Sequence, residues 1–314
     1  MILVFGSSIF EQDGQNSLLL DVLAGSGKEF VFINPLDPHD LARIELNQHE
    51  GKLVLAIDGK ETRPETIYME RLWRTDCIVD IPEGCSYPTL FRHKAQDFLT
   101  DIRFVVEGAR WIPGKYNAIE RGESKVALMQ TALACGLSVP TITLNSFANH
   151  FDSIGYRKVL GPPFTVTYDL VESQEVVTTL LNNKAGETGD EGLVGLPWQW
   201  QTPIKAIAQV RCVVVGSRIR CYRAEIDQFK GRSLREAQSD EQEILWKLDT
   251  LPSPVATSLL KLCAALELSM CCPEFLIDEN GRYIFIDLNP CGDWYGFVDQ
   301  EENLLVANMI VNIL

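Results

Sequence analysis

Two acidic side chains, Glu274 and Asp287, flank the dipeptide Asn280-Gly281, and Asn289 follows two residues after the second. Asn-Gly between two apolar runs is a strong signal for a two-residue hairpin turn. With Asn280 and Gly281 as the loop, Glu279 pairs with Arg282, Glu274 lies opposite Asp287, and Cys272 faces Asn289. Alternation along the strand then puts Asp287 and Asn289 on one face, roughly 6.5–7 Å apart. Directly opposed residues have Cβ atoms about 4.5–5.5 Å apart, and like charges there repel. A solvated strand end, with both carboxylates in water, is one way to relieve that repulsion. The other is a hard dication, since carboxylate and amide oxygens suit magnesium bridging nucleotide phosphates. The neighbours Phe275, Leu276, Ile284, Phe285 and Ile286 point to buried strands, where an uncompensated carboxylate pair is costly. The balance favours the metal.

Few other side chains carry comparable signals. Arg211 shares a strand face with Val213 and Val215, and a charge on an otherwise apolar face is unusual unless paired. Arg218, Arg220 and Arg223 form a local basic spot able to hold an anion. The histidines at 39, 49, 93 and 150 show neither triad nor metal spacing. Cys271-Cys272 lies near Glu274 but lacks a histidine or basic cluster to activate a thiol, and reads as packing. Nine cysteines, none spaced Cys-x2-Cys, read as small buried residues in a reducing compartment.

The elements that must position these residues fall into three stretches. Residues 1–114 read as an N-terminal α/β unit: strands at 2–5, 30–34 and 53–57, a helical stretch at 17–23, and a longer helix at 93–107. Residues 115–195 hold a helix at 120–134, with Val126, Met129 and Leu133 on one stripe and Gly136 past its end. A strand at 139–144 and a Gly- and acid-rich loop at 182–195 complete that stretch. Residues 196–314 hold strands at 210–215 and 218–226 around Gly216-Ser217, a helix at 251–268, and the hairpin already described. With 314 residues, 46% of them hydrophobic, the chain can build substantial cores. A net charge of -15 argues against a nucleic-acid partner. The lack of an apolar run of about 18–20 residues argues against a membrane span, and a cytoplasmic location is expected.

Phe285-Ile286-Asp287-Leu288-Asn289-Pro290, followed by Gly292 and Trp294, resembles a signature of ATP-grasp ligases, Phe-Leu-Glu-Leu-Asn-Pro-x-Gly-x-Trp. Within that superfamily the chain is most similar to the microviridin-type, or graspetide, synthetases that macrocyclise ribosomal peptides. The resemblance extends upstream through 111–144 and 197–226, and more weakly to Leu72-Trp73-Arg74. It implies an α+β, α/β fold in which an N-terminal subdomain precedes central and C-terminal subdomains that clamp ATP between antiparallel sheets.

The resemblance also implies roles. Lys125, in Glu123-Ser124-Lys125, and Lys158, in Tyr156-Arg157-Lys158-Val159, match lysines that reach the nucleotide phosphates; each is otherwise a solvated charge. Gln201, Pro203 and Ile204 fall where backbone groups contact the adenine, and otherwise form a plain linker. Arg211 matches an arginine near the γ-phosphate, so Arg211 and Lys158 are the expected catalytic groups. Glu274, Asp287 and Asn289 match the magnesium ligands, with ATP and magnesium the implied cofactors. Arg74, Arg223 and Arg235 are candidates for holding the acidic substrate. The chain also departs from the pattern. Glu274 and Asp287 interchange the usual Asp and Glu, Gln209 replaces an acidic residue, and Arg232-Ser233-Leu234-Arg235 stands where Asp-Trp-Arg is usual. A ribosomal precursor peptide is the implied partner, joined by side-chain ester or amide links, and a homodimer is the expected assembly. A small-molecule amino-acid ligase of the glutathione-synthetase type and a non-catalytic nucleotide- or peptide-binding relative are the alternatives.

Overall fold

A computed structural model describes residues 1–6, 14–34, 37–69, 87–106, 108–140, 142–145, 156–158, 198–201, 204–229, 244–292 and 294–314. The chain opens with β1 (Ile2–Phe5), α1 (Gly14–Gly25) and β2 (Phe30–Ile33). Next come α2 (Pro38–Leu41) and an antiparallel meander of β3 (Ile44–His49), β4 (Lys52–Ile57) and β5 (Lys60–Glu61). Then follow β6 (Thr66–Met69), α3 (Pro88–Val105) and β7 (Arg110–Ile112). A parallel sheet forms in the order β2-β1-β6-β7. Apolar side chains at every position of β1, and at every position of β6 after Thr66, suit strands covered on both faces, and both are buried throughout. The strand expected at 53–57 therefore belongs to the meander, not to this sheet; its place beside β1 is taken by Thr66–Met69. The helix expected from His93 begins five residues earlier, with Pro88 in its first turn, where a missing N–H costs nothing.

The single helix expected over 120–134 is two. Ser124 adopts an extended conformation (φ -75, ψ 102) between α4 (Tyr116–Glu123) and α5 (Lys125–Ala134). The break resets the helical phase. The buried residues of α5 are Lys125, Leu128, Met129 and Ala132, while Val126 and Leu133 are exposed. Lys125 thus sits on the inward stripe of its helix.

A small antiparallel sheet follows, with β10 (Trp198–Gln201) between β8 (Ile142–Asn145) and β9 (Tyr156–Lys158). The largest sheet is antiparallel and has β11 (Ala206–Val215) at its centre. Its order is β13 (Lys247–Asp249), β12 (Arg218–Glu225), β11, β14 (Met270–Asp278) and β15 (Tyr283–Asn289). The helix α6 (Ser253–Leu266) lies between β13 and β14 in the chain, and α7 (Gln300–Ile313) ends it. Both faces of the central sheet are covered. Val210, Cys212, Val214, Phe275 and Phe285 join Leu128 of α5 and Leu259 and Leu262 of α6 in one core. Val213, Val215, Tyr222, Met270 and Trp294 join Val306 and Ile310 of α7 and Leu19 and Leu23 of α1 in the other.

The β14–β15 hairpin departs from the expected turn and yet keeps the expected pairing. Its loop has three residues, Glu279-Asn280-Gly281: Asp278 N donates to Arg282 O (3.0 Å), and Gly281 takes φ 76. That is the turn with a left-handed glycine that three-residue hairpins favour. Ile277 consequently pairs with Tyr283 and Phe275 with Phe285, one residue off the expected register. A β-bulge between Glu274 and Phe275 then inserts Ile286 as an extra residue in β15 and restores the shift. Beyond it Glu274 is opposite Asp287 and Cys272 opposite Asn289.

Candidate functional site

Arg211, Glu274 and Asp287 occupy one row across β11, β14 and β15. Arg211 Nη2 donates to Glu274 Oε1 at 2.7 Å, and Gln209, two residues back on β11, donates from Nε2 to Glu274 Oε2 at 3.0 Å. Both oxygens of this carboxylate are therefore engaged by β11. Behind the arginine lies Phe297, whose ring centroid is 5.7 Å from Cζ, and the buried Nε of Arg211 has no hydrogen-bond partner among the described residues. At the other end of the row, Lys125 reaches from the first turn of α5 to the edge strand. Its Nζ donates to the carbonyl of Ile286, the bulged residue, and to Asp287 Oδ1 at 3.1 Å. The lysine side chain is only 3% exposed and the aspartate 35%. The two carboxylates are thus neutralised by two protein cations, one from each neighbouring element.

Asn289 lies at the end of β15, where its Oδ1 accepts from Cys291 N at 3.0 Å. Gly292 brings the backbone hard against this residue: a Cβ there would fall 2.6 Å from Cys272 Cβ and 3.0 Å from Asn289 Cβ. Glu274, Asn289, Arg211 and Gly292 line a cavity of about 30 Å³, room for one water or ion. Asp287 is turned to Lys125 instead. Among the described residues no group of three or more His, Cys, Asp and Glu side chains is placed to hold a metal. Glu274 and Asp287 contribute two carboxylates, and the remaining oxygen is the amide of Asn289. The donor chemistry of this all-oxygen set suits magnesium, and with Asp287 held by Lys125 only Glu274 and Asn289 of the three line the cavity.

The other expected site residues divide. Lys158 ends β9, opposite Gln199, and Gln201 ends β10, opposite Tyr156 and Ile142; their side chains, like Pro203, Arg74 and Arg235, lie outside the described residues, as does the 182–195 loop. Ile204 precedes β11 and is half-buried. Arg223 is not brought to the row. It pairs with Val210 in register, hence on the opposite sheet face from Arg211, and it is bidentate with Glu225 (2.8 and 3.2 Å). Arg220 is likewise spent on Glu302 (2.7 Å). Gln209 and Phe297 were not among the expected site residues; the first was legible, since two residues apart on a strand share a face. Cys271 and Cys272 are buried, and contact with the Cys263 thiol together with burial pushes the Cys271 thiol well up, which leaves it a poor nucleophile.

No protein-family model matches the chain, and no curated protein sequence matches it. Solved structures do. The macrocyclase MdnC from Microcystis aeruginosa MRC, bound with precursor peptide MdnA, superposes with a TM-score of 0.72 at 18% identity, covering 100% of this chain and 98% of that one. A RiPP-associated ATP-grasp ligase from Chryseobacterium gregarium, in complex with ADP and a leader and core peptide, gives 0.75 at 16% identity, covering 100% and 96%. The ATP-grasp ligase PsnB, complexed with a phosphomimetic minimal precursor, Mg and ADP, gives 0.69 at 15% identity, covering 99% and 97%. A likeness that runs the length of both chains, over a site built from oppositely charged pairs on three strands and a helix start, leads to one conclusion: the chain has the ATP-grasp fold.

Proposed function

We propose that the protein is an ATP-dependent ligase that activates a carboxylate as an acyl phosphate. The observation that carries this reading is the row Arg211–Glu274–Asp287, closed at one end by Gln209 and at the other by buried Lys125. In the proposed reaction a substrate carboxylate oxygen attacks the γ-phosphorus of ATP and ADP leaves. An amine or hydroxyl then attacks the acyl carbon, losing its proton as inorganic phosphate departs. Glu274, Asp287 and Asn289 would hold magnesium, which supplies charge neutralisation across the phosphates. Arg211 and Lys125 would hold phosphate oxygens, and Lys158 would add a third cation from the β8–β10–β9 sheet. Such chemistry needs positioning and charge rather than a protein nucleophile.

The substrate we infer is a ribosomal peptide whose side chains become linked by ester or amide bonds. MdnC was solved with a precursor peptide, the Chryseobacterium ligase with a leader and core peptide, and PsnB with a variant of a minimal precursor, which supports this reading. Residues 1–114, 115–195 and 196–314 would serve as the N-terminal, central and C-terminal parts of the clamp. The test is ADP release in the presence of a short peptide rich in acids, Ser, Thr and Lys encoded near the gene, with mass spectrometry of the peptide. Loss of one water per bond, and a hydroxamate on adding hydroxylamine, are expected. Release of AMP instead would overturn the acyl-phosphate step, and ADP release driven by free amino acids but not by the peptide would make the protein a small-molecule ligase.

A further inference from the structure

The two cations that the proposed function assigns to phosphates are already in use. Lys125 is paired with Asp287 and the Ile286 carbonyl, and Arg211 with Glu274. The same two carboxylates are the ones that a dication would need. We propose that the site is a charge-exchange lock: Lys125 and Arg211 stay on Asp287 and Glu274 until nucleotide and divalent cation arrive together, so that neither binds well alone. This rests on the functional reading above and deepens it.

The physical argument follows from burial and sign. A lysine side chain that is 3% exposed cannot be left without a counter-charge, so it exchanges one anion for another rather than opening to water. Metal-free nucleotide must compete with both carboxylates for these cations, and it brings phosphate charge against the carboxylates it displaces. A dication without nucleotide must draw the carboxylates from their partners and set its own charge beside Lys125 and Arg211. Arriving together, each ligand removes the other's obstacle, and such coupling is reciprocal. Gln209 gives the exchange a fixed point. Its neutral amide holds Glu274 Oε2 whichever way Arg211 turns, so the carboxylate does not swing away when its cation leaves.

The lock makes a prediction opposite in sign to simple ligand removal: neutralising a carboxylate should strengthen metal-free nucleotide binding. The experiment is calorimetric binding of a non-hydrolysable ATP analogue to the full chain, with EDTA or with magnesium, for wild type, Asp287→Asn and Glu274→Gln, each checked by thermal melting. Wild type should bind the metal-free analogue weakly and the magnesium complex far more tightly. Each variant should bind the metal-free analogue roughly tenfold more tightly than wild type, the scale of coupling between close charge pairs, and gain much less from magnesium. Folded variants that bind it no more tightly than wild type would overturn the lock while leaving the ligase reading intact. Unfolding of both variants that the analogue does not reverse would overturn it as well, because the pairs would then serve the fold alone. Absence of any binding by wild type, with or without magnesium, would instead sink the functional reading and the lock with it.

Discussion

Glu274 accepts from two donors of different kinds, a guanidinium on one oxygen and a carboxamide on the other, and the amide is the one that does not compete for phosphate. Groups that orient a metal ligand are commonly worth ten- to a hundredfold in metal affinity. Gln209→Ala should therefore raise the magnesium concentration for half-maximal ADP release roughly tenfold, with saturating turnover much less affected; a magnesium titration of initial rates checks it, and an unchanged midpoint would remove Gln209 from the site. Gly292 acts at the same scale through what it lacks. Its missing Cβ admits the backbone against Cys272 and Asn289, so Gly292→Ala must push Asn289 aside. Turnover of the folded variant is expected to fall about a hundredfold, as misplacement of a positioning group does. A circular-dichroism melt should show a lowered Tm, because the added Cβ also meets the Cβ of buried Cys272.

The hairpin is the element on which the site depends, and its turn is held from within. Asp278 accepts from the N–H groups of Arg282 and Asn280 (2.9 Å each) and from Arg282 Nε (2.7 Å). The Arg282 N–H, its guanidinium and the Asn280 N–H hold the Asp278 carboxyl below the usual carboxylate range, which lies near about 3.9. A depressed folded pKa stabilises the protein fully above the unfolded value, and the gain is lost as pH falls through the folded value. Asp278→Ala should thus lower Tm at neutral pH, and the gap from wild type should narrow below about pH 4. A pH series of melts decides; a gap constant down to pH 2 would remove the carboxylate's charge from the explanation. The bulge at Ile286 matters for a different reason, since it both restores the register and offers Lys125 its carbonyl.

Across the whole molecule, α7 joins the central sheet to the N-terminal unit. It packs on α1, and Arg110 Nη2 from β7 donates to the Leu314 carbonyl at 3.1 Å. On its other side Glu302, nearly buried, accepts two bonds of 2.7 Å from Arg220 and one of 3.0 Å from the Tyr222 hydroxyl on β12. Burial, with Glu302 beside it, pushes the Tyr222 phenol far above its usual range, so it stays a donor at every working pH. Glu302→Ala leaves Arg220 without this partner and should cost about 2 kcal/mol, between the values for exposed and buried pairs because the arginine is partly exposed. Denaturant unfolding measures this, and metal-dependent nucleotide binding of the folded variant should be close to wild type. Among the described residues no helix is long and apolar enough to cross a membrane.

The amino-acid order alone determined which residue types meet at the site. A run of apolar residues broken by Asp287 and Asn289, an Asn-Gly turn, and an arginine among valines are local patterns, and local patterns survive in one dimension. It also placed Glu274 opposite Asp287, but by a turn one residue too short and without the bulge that compensates, because neither loop length nor an unpaired residue leaves a distinct periodic trace. What offsets the carboxylate repulsion was decided only in three dimensions. Lys125 lies more than 150 residues from Asp287 in sequence, and only the break at Ser124 turns it onto the buried stripe of α5. Arg211 and Gln209 likewise meet Glu274 through strand pairing between distant segments. Counter-charges of this kind depend on which faces pack together, a property of the assembled core rather than of any stretch of chain.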